Sequence, residues 1–126
     1  MKKILICCLA FFGMLLFQGC ESEIDHPIAG KVYVLYAENL STYLYFHLNG
    51  DFEIDYKQKT LLGDTHNWTN HLEWTVEGNK ISVYHDNSTY WKSHVRGTLF
   101  QEGTYESANN TVILNGIHYE FSHNWD

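Results

Sequence analysis

Residues 71–85 read "HLEWTVEGNKISVYH", two alternations of apolar and polar residues that meet at Gly78 and Asn79. A two-residue loop there pairs Glu77 with Lys80, Val76 with Ile81 and Trp74 with Val83. Directly opposed residues share a face of the sheet, so this register puts every apolar side chain on one side. It also sets an opposite-charge pair beside the turn. A helix would need a repeat near 3.6 residues, and here the repeat is two. The stretch is a β-hairpin with one dry face.

Working outward, "NNTVILNGIHYEF" at 109–121 has the same phase around Asn115 and Gly116, with Leu114 facing Ile117 and Val112 facing Tyr119. "YLYFHLNGDFEIDY" at 43–56 does not. Leu44, Phe46 and Leu48 alternate inward before its turn, and Phe52, Ile54 and Tyr56 after it. A two-residue loop would set Leu48 against Asp51, whereas a three-residue loop, 49–51, pairs Leu48 with Phe52 and keeps the faces. With "GKVYVLYA" and "SHVRGTLFQEGTY" added, eight or nine strands are expected, and no segment after Cys20 carries a helical period. The predicted fold class is all-β, an antiparallel up-and-down meander closed or nearly closed into a barrel, because closure removes exposed edges. Turn order predicts tight turns at 49–51, 78–79, 102–103 and 115–116 at one end. Longer connections at about 38–42, 59–70, 87–92 and 106–110 fall at the other, to which the C-terminal residues 123–126 return. A filled barrel would pack Leu44, Phe46, Trp74 and Val83 inside. No internal repeat or second domain is visible.

The amino terminus is a different kind of sequence. Lys2 and Lys3 precede an apolar run from Ile4 to Phe17, too short to cross a ~30 Å hydrocarbon core comfortably. A basic start followed by a short apolar core describes a secretory signal. The run ends in Leu16-Phe17-Gln18-Gly19-Cys20, which resembles the lipobox of bacterial lipoproteins. That resemblance implies removal of 1–19, diacylglycerol on the Cys20 sulfur and anchoring to a membrane through it. The acidic Glu21-Ser22-Glu23-Ile24-Asp25 that follows resembles the surface-export signal of Bacteroidetes lipoproteins, and reads equally as a solvated tether. The implied location is the outer membrane, facing the cell exterior if the export signal operates. The domain layout expected is a signal at 1–19, a lipidated, acidic tether at 20–28 and one barrel domain at 29–126.

Loss of Lys2 and Lys3 leaves six basic against 15 acidic residues, a net charge of −9. That balance argues against nucleic acid or an anionic bilayer surface as a partner. Cys7 and Cys8 leave with the signal, so no disulfide staples the fold. Asn-x-Ser/Thr sequons at Asn39, Asn67, Asn87 and Asn109 read as chance matches in an Asn-rich chain. Ala29-Gly30-Lys31-Val32-Tyr33 and the hairpin from Phe46 to Phe52 resemble lipocalin-like (calycin) lipoproteins over about residues 28–123. The family's Gly-x-Trp is absent from the first strand. The resemblance implies a small up-and-down barrel.

Candidate chemistry collects in the longer connections. His66, Trp68, Tyr90, Trp91 and Trp125, with Asn67, Asn70, Asn87 and Asn124 among them, suit a sugar ring or an amphipathic ligand at the barrel mouth. The same aromatics could instead fold over the end as a plug. Tyr43, Tyr45 and His47 form a second aromatic row on an outer face, and Asp51, Glu53 and Asp55 alternate outward as a solvated strand face would. The histidine spacings, His66 with His71, His118 with His123 and His85 beside Asp86, match no zinc pattern, and no metal or other cofactor is expected. No nucleophile motif, phosphate loop or singled-out carboxylate pair points to catalysis, so no enzyme is expected. Two function classes remain open. One is a membrane-anchored binding module for a glycan fragment or small amphipathic ligand, with Trp68, Trp91 and Trp125 as stacking residues and His66 and Tyr90 beside them. The other is a filled barrel that docks a protein partner as an inhibitor or envelope-complex subunit.

Overall fold

The computed structural model describes residues 23–92 and 94–125. The signal and the lipidation of Cys20 lie outside the described residues. Eight strands follow in chain order: β1 (Lys31–Tyr36), β2 (Leu40–Phe46), β3 (Asp51–Thr60), β4 (Gly63–Glu77), β5 (Lys80–Asp86), β6 (Arg96–Glu106), β7 (Thr111–Leu114) and β8 (Ile117–Asn124). Each pairs antiparallel with the next, and β8 returns to β1 to close the barrel. There is no helix among the described residues.

The hairpin at Gly78 and Asn79 has the expected register, Glu77 with Lys80, Val76 with Ile81 and Trp74 with Val83. So does the one at Asn115 and Gly116, where both residues have positive φ. Such a turn twists in the same sense as the strands it joins. Between β2 and β3, Phe46 rather than Leu48 opposes Phe52, and the connection is 47–50, four residues instead of three. Displacing the pair by two residues leaves the faces unchanged, so Leu44, Phe46, Phe52 and Ile54 all point inward as expected.

Two expected connections are strand. The span 59–70 belongs to β3 and β4, which turn tightly at Leu61 and Leu62 with Thr60 opposite Gly63. The Thr60 hydroxyl bonds Gly63 O and accepts from Leu62 N, doing the work usually given to Asn or Asp. Glu102 and Gly103 lie inside β6, not at a turn, and that strand runs on to the expected connection, here 107–110. A Cβ on Gly103 would stand 1.8 Å from Ile113 O, so this glycine serves close strand approach. With these changes the tight turn at 115–116 falls at the end opposite 78–79. Trp125 falls at the end where the chain enters, its amide donating to Gly30 O at 2.7 Å. The expected return of 123–126 to the far end is thereby corrected.

The interior near the entry end is filled. Leu44, Phe46, Trp74 and Val83 are essentially solvent-free, packed with Tyr33, Phe52, Ile54, Leu72 and Ile81. Burial falls off toward the far end, where Leu35, Leu40 and Phe100 are 36–42% exposed. Residues 24–29 close the entry end. Ile28 is wholly buried in the core, Ile24 N donates to Leu48 O, and Gly30 N donates to Phe46 O. Burying a side chain such as Ile28 contributes about 1.5–3 kcal/mol. Residues 24–29 are thus packed against the barrel.

Tyr33 donates from its hydroxyl to Asn110 Oδ1 at 2.6 Å. Burial holds its phenol proton well above the ordinary range, with Tyr105 adding to the shift. Tyr119 is raised likewise, first by burial and then by Tyr56. A raised folded pKa leaves stability intact below the unfolded value of about 10. Above it the unfolded chain ionises first and stability is lost. The urea midpoint should therefore fall steeply above about pH 10, and Tyr33→Phe should flatten that limb. Equal alkaline slopes for parent and variant would remove this cause.

Candidate functional site

The register sorts the side chains on the outer wall of β1–β4 into rows. Val32, Tyr45 and Glu53 lie opposite one another, as do Val34, Tyr43, Asp55 and Trp68, and then Tyr36, Ser41, Lys57 and His66. Lys59 and Asp64 follow toward the Leu61–Leu62 tip. All of these point away from the core set by Leu44 and Ile54.

Three of the five expected site residues meet here. Tyr45 is buried against the wall, and the Trp68 and Trp125 rings lie on it at centroid distances of 5.3 and 5.1 Å. His66 stacks on Trp68 at 6.3 Å, and His47 contacts both Tyr45 and Trp125. Trp68 and Trp125 keep 45% and 52% of their surface in water. The other two, Tyr90 and Trp91, contact each other at 5.0 Å on the connection 87–95. They join no ring of the wall among the described residues. The five do not form one mouth.

Beneath the rings sits a carboxylate. Asp55 faces outward as expected, yet it is only 2% exposed, so the solvated-face reading does not hold for it. His66 Nδ1 donates to its Oδ2 at 2.7 Å, which fixes the imidazole. Asp55 Oδ1 is buried with no hydrogen-bond partner among the described residues. An acceptor left in that state costs about 1–3 kcal/mol. The phenol of Tyr45 is pushed up by burial and then by the Asp55 charge. His47 Nε2 lies 3.3 Å from Glu53 Oε2, adding a second imidazole–carboxylate pair to the same wall.

Next to the rings, toward the Leu61–Leu62 tip, the wall dips into a groove of about 470 Å³ lined by Tyr36, Glu38, Asn39, Tyr43, Lys57 and Lys59. The Tyr36 and Tyr43 rings meet edge to face at 6.3 Å. Burial and then the Tyr36 hydroxyl raise the Tyr43 phenol.

A separate polar cluster anchors the connection that carries Tyr90 and Trp91. Glu73 Oε1, on a carboxylate only 7% exposed, accepts from His94 Nε2 at 3.0 Å and Arg96 Nη2 at 3.3 Å. Arg96 also lies 4.7 Å over the Tyr84 ring. Among the described residues, no three His, Cys, Asp or Glu side chains gather as a metal site would require.

Comparison with models of known families, with curated proteins and with solved structures gives no match. The site stands on its own geometry.

In the sequence, Tyr43, Tyr45 and His47 form an outer row with no visible link to Trp68 and Trp125. The signal for joining them was strand phase: once 59–70 is read as strand, Trp68 falls opposite Asp55 and diagonal to Tyr45. Trp125 carried no such signal, because only barrel closure brings the end of β8 to β2.

Proposed function

We propose that this chain is a lipid-anchored, non-catalytic binding module that holds a glycan on its outer wall. The observation that carries the reading is the pair of half-exposed Trp rings seated on Tyr45. Sugar rings present apolar C–H faces, and an exposed, pre-positioned indole offers them area at low entropic cost. His47, His66 and Glu53 surround the rings with hydrogen-bonding groups, and the buried Asp55 holds the His66 imidazole in place from beneath. The filled interior near the entry end turns the reading away from a ligand inside the barrel. Anchoring through Cys20 rests on the lipobox alone.

Affinity gel electrophoresis of residues 21–126 through a panel of soluble polysaccharides tests this. At least one should retard the domain. Trp68→Ala and Trp125→Ala should each weaken that retardation about tenfold, or ~1.4 kcal/mol, with the melting curve unchanged. Retardation by no polysaccharide, or equal retardation of parent and double variant, would sink the reading.

A second reading, docking of a protein partner, has its own observation. Leu61 and Leu62 are fully exposed at the β3–β4 tip, and Tyr90 and Trp91 are mostly exposed at the same end of the barrel. Apolar tips of this kind are common at protein interfaces. It expects Leu61→Ser with Leu62→Ser to dissolve a defined complex while leaving glycan retention intact.

A further inference from the structure

We propose that the ligand of this wall is an anionic glycan, its carboxylate or sulfate held at Lys57 and Lys59 while a neighbouring sugar ring stacks on Trp68. The inference deepens the platform reading and rests on it.

Three observations lead there. The first is placement. Lys57 and Lys59 point outward from the same strand face as Asp55, which is opposite Trp68. At about 3.4 Å per residue, the two lysines stand roughly 7 and 14 Å along β3 from the Trp68 row. One short oligosaccharide can therefore touch both regions without any movement of the fold.

The second is charge. The described chain is acidic, with Lys31, Lys57, Lys59, Lys80, Lys92 and Arg96 as its only lysine and arginine cations. Two of those six line this one groove. Lys57 Nζ lies 3.5 Å from Asp64 Oδ2, and both side chains remain partly in water. Exposed pairs of that kind are worth about 0–1 kcal/mol, so the ammonium is readily shared with an incoming anion. Lys59 makes no ion pair among the described residues, and Glu38, on the groove's rim, reaches neither lysine. Lys57 and Lys59 stand here against Glu38 and Asp64, which makes the groove close to neutral on an otherwise strongly acidic surface.

The third is the lining. The two tyrosines form one wall, while Asn39 and the Ser41 hydroxyl offer neutral donors and acceptors beside the ammonium groups. Aromatic faces beside cations and amides suit a sugar bearing a negative group. A bare inorganic anion would leave the tyrosines unused.

The test compares neutral polysaccharides (dextran, a mixed-linkage β-glucan), a carboxylated one (polygalacturonate) and a sulfated one (chondroitin sulfate) by affinity electrophoresis. It uses the parent domain, Lys57→Gln with Lys59→Gln, and Trp68→Ala with Trp125→Ala. Retention should be strongest on one acidic polymer, weaken about tenfold or more in the lysine variant, and fall with added salt. The tryptophan variant should lose it as well. The polymer retained identifies the anion as carboxylate or sulfate. Retention on neutral polymers only, or acidic retention untouched by the lysine variant, would overturn the anionic assignment and leave the platform standing. Acidic retention that survives loss of both tryptophans would overturn the shared site. Retention on nothing would overturn both readings. Unchanged melting of each variant keeps misfolding out of these outcomes.

Discussion

Replacing Gly103 with alanine is expected to lower the thermal midpoint by at least ~12 °C. The new methyl carbon would stand 1.8 Å from Ile113 O and 2.8 Å from the Leu114 Cα. Both are backbone atoms of β7, which cannot rotate out of the way as a side chain would. The two strands must part, and with them the Gly103–Leu114 and Thr104–Ile113 pairings. Because β7 has four residues, little of the β6–β7 ladder would survive a local separation. Overpacking against movable side chains costs about 1–3 kcal/mol, and a backbone obstacle belongs at the top of that range or above it. Gly97 supplies the control. A Cβ there first meets the Asn87 side chain, at 2.7 Å, which can turn aside, so Gly97→Ala should cost much less. Circular dichroism melts of the two variants decide the matter: equal midpoints would mean β6 and β7 are not in close contact.

Trp74→Ala is expected to cost about 3–5 kcal/mol, the range for removing a buried aromatic and leaving a cavity. Trp74 is 1% exposed and meets the Phe46 ring edge to face at 5.1 Å. Its indole N–H donates to His47 O at 3.0 Å, tying the core to the β2–β3 connection. The alanine variant loses nearly all the packing and that bond, while Trp74→Phe keeps much of the volume and loses the bond with the smaller part of the packing. Urea midpoints should therefore rank parent, then Phe, then Ala, with the Phe step near ~1 kcal/mol. A Phe variant as unstable as Ala would show that the hydrogen bond outweighs the packing. An Ala variant close to parent would show that Trp74 does not fill the barrel.

The dry and wet faces of the hairpins were legible because they follow from local phase. Val76 against Ile81 and Leu114 against Ile117 need only the turn residues between them. The β3–β4 ribbon was not legible, since both its faces near the tip are in water and no apolar alternation marks it. Its turn is built by a threonine hydroxyl beside two leucines, which carry no turn signature. Gly103 misled for a related reason: glycine serves turns and close approaches alike, and one sequence does not separate the two uses. The candidate site was half legible. Trp68, Trp125 and His66 were singled out as residue types, but their meeting on Tyr45 depends on the register of β3 with β4 and on the closure of β8 against β1. Tyr90 and Trp91 share the residue types and lack that meeting.

If the Trp68–Trp125 surface is the glycan site proposed above, its position on the wall decides which part of a polymer it would engage. A cavity at a barrel mouth has a floor, so it selects chain ends, and its occupancy depends on how many ends a polymer has. A strip running along the side of a barrel has no stop at either end, from His47 past Trp68 to Lys59. A polysaccharide laid along it can enter and leave in mid-chain, and can slide one repeat without letting go. Avidity would then grow with chain length instead of saturating at one residue, and several copies of the domain could line up on one strand of polymer.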